Sequence, residues 1–170
     1  MAQQGEKMKS VKVAMCYSGA VRGLLNNAEH VKNVLFSQED VHYDIDYYLY
    51  ADPRGGTIHQ KDIQNGQNEP QGLKVQRIRP DFKCLFEDES DGIEERMRRF
   101  ESNIQGYHMP YKEQVLQWYS VQKAFDFVLS QEEQYDVYVR MRCDLFPAGK
   151  MEFDWSSYDE NTVYVPFNAP

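Results

Sequence analysis

"VKVAMCYSGAVRGLL", residues 11–25, decides the fold. Val11, Val13 and Met15 alternate with smaller or polar residues, as in a strand, and Ser18-Gly19 breaks the run. A helix is predicted over 26–36, with Val31, Val34 and Leu35 on one face. Strand, short turn and helix in that order open an α/β unit.

The same alternation returns in "YDIDYYLYADPRGG" (43–56), where Ile45, Tyr47, Leu49 and Ala51 share a side and Asp52-Pro53 ends the strand. Residues 54–72 are rich in Gly, Asn and Gln and read as a long, mobile surface loop. "LKVQRIRP" (73–80) is predicted as a third strand, followed by a charged, solvated helix from Asp91 whose arginines pair with neighbouring glutamates. After Pro110 comes the strongest helical pattern of the chain, "YKEQVLQWYSVQKAFDFVLSQEEQ", with apolar Trp118, Val121, Phe125 and Val128.

"YDVYVRMRCDLFP" (135–147) follows as a strand. Val137, Val139, Met141 and Cys143 face one way, and Tyr138, Arg140, Arg142 and Asp144 the other. "NTVYVPFNAP" (161–170) reads as a last strand, and no internal repeat is visible. A chain ending on a strand without a closing helix reads as a domain cut from a longer protein, or an unusually short one. Strands separated by helices imply a mostly parallel central sheet flanked by helices, in which ligands gather beyond the carboxyl ends of the strands. Ser18, Gly19, Arg22, Asp52 and Asp144 then share one rim.

The 170 residues suit a single domain, spanning 1–170, and a 14% aromatic content is too high for a disordered segment. A net charge of -8 argues against general affinity for nucleic acid or an anionic membrane, which reward basic surfaces. Cys16, Cys84 and Cys143 are odd in number and widely spaced, and His30, His42, His59 and His108 are scattered. Buried thiols in a reducing compartment are expected, rather than disulfides or a zinc site. The polar N-terminus has no signal-peptide core and no apolar run is long enough to cross a bilayer, so the expectation is a soluble, cytoplasmic protein.

The rim residues carry specific chemistry. Gly19 lets backbone approach a ligand, and Arg22 offers a forked cation to a phosphate. No Gly-Lys-Ser/Thr and no G-x-G-x-x-G is present, so neither familiar phosphate loop is in play. Asp52 is placed to accept hydrogen bonds from a ribose or a base edge, or simply to start a turn before proline. Arg140, Arg142 and Asp144 share a strand face, where unpaired charges would be costly to bury. They pair with one another and their neighbours, or they face a polar cleft. There the arginines would neutralise a diphosphate, and Asp144 would offer oxygen ligands to a divalent cation. Gln117, Ser120 and Lys123, spaced three apart, put polar groups on one helical face, suited to sugar hydroxyls or to plain solvent.

"CYSGAVRG" resembles the C-x-S-G-x-x-R opening of nucleotide-sugar glycosyltransferase-like proteins of the GT-A class, found in bacterial surface-polysaccharide loci and large DNA viruses. "QWYSVQKAFDFV" with "YDVYVRMRCDLFP" resembles the same family's helix and its YD-x-x-x-R-x-R-x-D-L strand, and "NTVYVP" resembles the strand that comes next. The match spans about 11–166 and is patchy between 54 and 110. The resemblance implies a Rossmann-like GT-A fold that binds a nucleoside diphosphate sugar with Mg2+ or Mn2+ and transfers the sugar to a glycan or glycoprotein acceptor. It further implies that Ser18, Gly19 and Arg22 contact the nucleotide, Asp52 the nucleoside, and Asp144 the metal. One departure stands out: Arg142 occupies the place of the first aspartate in the family's D-x-D-type motif. The rival readings are a non-catalytic binding domain of the same fold and a sugar nucleotidyltransferase, whose richer glycine loop and following lysine this chain lacks.

Overall fold

The computed structural model describes residues 9–19, 21, 23–52, 71–87 and 111–145. Among the described residues four strands form one sheet: β1 (Lys9–Ser18), β2 (Val41–Ala51), β3 (Phe82–Phe86) and β4 (Val137–Arg142), in the order β3-β2-β1-β4, with every neighbouring pair parallel. The described helices that flank it are α1 (Leu24–Leu35), α2 (Gln71–Ile78) and α3 (Tyr111–Leu129). This is the α/β, parallel-sheet architecture expected from the sequence. Among the described residues no helix is long and apolar enough to cross a membrane.

Side-chain alternation sorts the core into two clusters. On one face Val11, Val13, Met15 and Tyr17 of β1 join Tyr47, Leu49 and Ala51 of β2 beneath Leu24, Ala28, Val31 and Leu35 of α1 and Val75 of α2. On the other, Ala14 and Cys16 lie beside Tyr48 and Tyr50 beneath Ala124 and Val128 of α3. The sheet is therefore covered on both sides. Val137, Val139 and Met141 turn to the α1 side with Cys143, as their parity predicts.

The buried row of α3 is Ser120, Ala124 and Val128, four residues apart. Small residues stand there because the strand opposite already carries Tyr48 and Tyr50. Trp118, expected on the apolar face, is instead 72% exposed. The helix exists as expected, but its contact face is rotated toward the small residues.

The strand expected at 73–80 is a correction. A strand would bury alternate residues, whereas Leu73 is 44% exposed and the buried positions are Gly72 and Val75, one helical turn apart. The Arg79 N–H closes on the Val75 carbonyl at 2.8 Å before Pro80 ends the helix. The third strand is the next stretch, "FKCLF". Phe82, Cys84 and Phe86 pack on the α1-side cluster. Arg79 fastens the turn between the two, donating to both Asp81 oxygens at 2.8 and 2.6 Å, with its guanidinium 5.3 and 5.0 Å from the Tyr47 and Phe82 ring centres. Of the expected loop at 54–72, residues 54–70 lie outside the described residues, as do the charged helix from Asp91 and the last strand at 161–170.

β1 and β4 are clasped at their amino ends. The Lys12 N–H donates to Asp136 Oδ2 at 2.8 Å, and the Asp136 N–H returns to the Lys12 carbonyl at 2.9 Å. Lys12 Nζ also pairs with Glu133. The ladder begins at the next residue, Val13 against Val137.

α1 opens at Gly23, which has φ 80 and no side-chain cap; its carbonyl accepts from the Asn26 and Asn27 N–H groups at 3.0 and 2.9 Å. A Cβ there would adopt a left-handed backbone and meet Asn27 Nδ2 at 3.0 Å. Gly23→Ala should destabilise by about 1–2 kcal/mol and lower the melting temperature by about 2–8 °C, read by differential scanning calorimetry.

The Arg79 hydrogen bonds hold the Asp81 pKa below its ordinary value. A depressed carboxylate contributes stability that is present above the unfolded pKa, near 3.9, and is lost as pH falls through the folded value. Asp81→Asn should flatten that part of the acid limb in urea midpoints measured below about pH 4, leaving its slope near neutrality unchanged.

Candidate functional site

The strand order fixes where a ligand would lie. The chain steps from β1 to β2 to β3 in one direction and then crosses to place β4 on the other side of β1. In open α/β sheets the crevice at such a reversal, beyond the carboxyl ends of the strands, is where ligands bind. Here that crevice lies between β1 and β4.

Ser18, the last residue of β1, is buried and lies opposite both Tyr50 of β2 and Arg142 of β4. Gly19 follows with φ 99, and a Cβ there would meet nothing within 4 Å, so backbone conformation rather than space demands glycine. Its carbonyl lies 3.9 Å from the buried Cys143 thiol. Arg22 lies outside the described residues. α1 starts just beyond without a side-chain cap, and the positive end of its dipole favours negative charge there.

On β4, Arg140 stands opposite Cys16 and Arg142 opposite Ser18, on the same side of the sheet as α3, and both arginines are exposed. Arg142 grips Asp144 with a fork: Nε to Oδ1 and Nη2 to Oδ2, both 2.9 Å. Those bonds raise the Arg142 pKa. Among the described residues no carboxylate comes within ion-pair distance of Arg140. Partial desolvation of its guanidinium, and next the Arg142 charge, push its pKa below the ordinary arginine value, although the residue as a whole is exposed.

A second cluster forms at the ends of β2 and β3. Asp52 is half-buried just past β2, and the Glu87 N–H donates to the Ala51 carbonyl at 3.3 Å, bringing Glu87 to the same level of the rim. Glu87 Oε2 accepts from the hydroxyls of Tyr50 and Tyr119 at 3.3 Å each, and Lys123 Nζ lies 3.3 Å from both of its oxygens. The three polar residues of α3 therefore part company: Gln117 is exposed, Ser120 is buried with its hydroxyl bonded to the Leu116 carbonyl at 2.8 Å, and Lys123 serves Glu87. Glu87 is not evident from the sequence because the strand before it is not. With β3 placed at Phe82–Phe86, a carboxylate one residue past the strand end would have been visible, just as Asp52 is past β2.

Among the described residues the donors beside Asp144 do not make up a divalent-cation site. Both Asp144 oxygens accept from Arg142, and among the described residues no group of three His, Cys, Asp or Glu side chains is placed to hold a metal. A cation bound at Asp144 would also have to sit beside two guanidinium groups, against their charge.

Tyr50 is fully buried and its hydroxyl donates to Glu87. A double-mutant cycle of Tyr50→Phe and Glu87→Gln should give a coupling of about 0.5–1.5 kcal/mol in urea unfolding. Additive effects would mean that the contact does not form in solution.

Neither protein-family models, nor curated proteins, nor solved structures give a match to this chain.

Proposed function

We propose that this domain binds a nucleoside diphosphate sugar across the carboxyl ends of β1 and β4, in a GT-A-like arrangement, and transfers the sugar to a glycan or glycoprotein acceptor. The observation that carries the reading is Arg140, without a carboxylate partner among the described residues, beside Arg142 at the point where the strand order reverses. Two forked cations suit a diphosphate, whose oxygens accept paired N–H bonds. Gly19 turns the chain through a left-handed backbone at the end of β1, beside the same crevice. Asp52, past the neighbouring strand, suits a ribose. The divalent cation implied by the resemblance is not carried forward, because the carboxylate it needs is held by Arg142.

In the transfer, the bond between the sugar's anomeric carbon and the diphosphate oxygen breaks as the acceptor hydroxyl oxygen bonds to that carbon and gives up its proton to a base. Negative charge develops on the leaving diphosphate, and cations already oriented toward it lower the barrier. Arg140 and Arg142 are the residues for that task.

A second reading, a non-catalytic binding domain of the same fold, draws support from the closed ion pairs Arg142–Asp144 and Lys123–Glu87, which satisfy much of the rim within the protein itself.

Melting curves of the chain with UDP-, GDP-, CDP- and dTDP-sugars separate these readings. A nucleotide at a hundred times its dissociation constant adds about 2.7 kcal/mol, a rise of about 5–10 °C. That rise should occur for one base and disappear in Arg140→Ala. Binding with no release or transfer of the sugar, across a panel of glycan acceptors, would favour the non-catalytic domain. No shift with any of the four, in a protein that melts cooperatively, overturns the donor-site reading.

A further inference from the structure

The face of β4 at the crevice, with the turn that follows it, carries two cations and one anion: Arg140, Arg142 and Asp144. The two arginines are two residues apart on one strand face, so their Cα atoms stand about 7 Å apart, a spacing that long side chains close easily over a diphosphate. A guanidinium has five N–H donors in a fixed plane. Arg142 spends only Nε and one Nη2 hydrogen on Asp144, so the Nη1 pair and the second Nη2 hydrogen point away from the carboxylate. The grip holds the fork still without exhausting it. Arg140 and Arg142 each bear a charge that the other disfavours, and an anion between them relieves that repulsion.

We propose that Arg140 and Arg142 together form a diphosphate site that works without a divalent cation, with Asp144 as a positioning residue that orients Arg142. This rests on the donor-site reading above and specifies how that site holds its ligand. Charge favours it: Arg140, Arg142 and Asp144 together sum to one positive charge, which attracts an anion. A metal would have to displace Arg142 from both oxygens and then sit among like charges. Geometry favours it as well, since an arginine fork matches two phosphate oxygens as a point charge does not.

The test is calorimetric titration of the full chain with UDP, GDP, CDP and dTDP, in excess EDTA and again with Mn2+. One of the four should bind in EDTA, with a dissociation constant within about threefold of its value in Mn2+. Arg140→Ala and Arg142→Ala should each weaken it about tenfold to a hundredfold. Asp144→Asn should weaken it by one and the same factor in EDTA and in Mn2+, while its melting temperature stays within about 2 °C of the parent, as for an exposed substitution. A merely structural Asp144 would leave the affinity unchanged. Binding only in Mn2+, or an Asp144→Asn loss confined to Mn2+, overturns the cation-free site and leaves the donor-site reading standing. No binding in either buffer overturns both.

Discussion

β1 is hydrogen-bonded along both edges and covered on both faces, and from Val13 to Ser18 every residue is buried. A strand so enclosed has nowhere to send a charged side chain, which is why its middle is apolar or small throughout. The enclosure also divides sizes between faces. Val13, Met15 and Tyr17 fill the space under α1 and α2, while Ala14, Cys16 and Ser18 leave room on the α3 side for the tyrosines of β2. Cys16 shows the cost of that burial for a thiol. Its pKa is pushed up to about 12, so it packs as a small apolar residue and not as a nucleophile.

Tyrosines on the α3 side bring hydroxyl groups into a covered layer, and each needs a partner. Lys83 donates to the Tyr48 hydroxyl at 3.1 Å, Tyr48 and Tyr135 share a hydrogen bond of 2.6 Å, and Tyr135 donates to Asp46 at 2.5 Å. Tyr50 finds Glu87 at the opposite end of the same face. Charged residues within and beside β2 and β3 thus answer to buried phenols. An unmet hydroxyl in such a layer costs about 1–3 kcal/mol, a cost the two networks spare Tyr48 and Tyr50 but which the buried Tyr17 hydroxyl on the α1 side, with no partner among the described residues, carries.

The sequence carried the architecture where its period was strong. β1, α1, β2, α3 and β4 are found where alternation or helical spacing predicts them, within a few residues at the ends. It misled where the period was weak. In "LKVQRIRP" apolar residues sit at 73, 75 and 78, which fits neither period cleanly, so a single buried turn of helix looks like a strand in the sequence. The error hid β3 and with it Glu87. The parity of Arg140, Arg142 and Asp144 was legible, because strand alternation is strict. The fork between Arg142 and Asp144 is a matter of rotamers and turn geometry, to which alternation is blind.

The clasp between Lys12 and Asp136 has a reach greater than its size. Because side chains alternate, a slip of one residue between β4 and β1 would turn Arg140 and Arg142 into the apolar layer under α1 and bring Val139 and Met141 out in their place. Asp136, six residues and about 20 Å before Arg142, makes that slip unfavourable by holding Lys12 through both its main chain and its carboxylate. The chemical character of the crevice is thereby decided at the far end of the strand. Changes at Asp136 belong with changes at the rim, although nothing at Asp136 would ever touch a ligand.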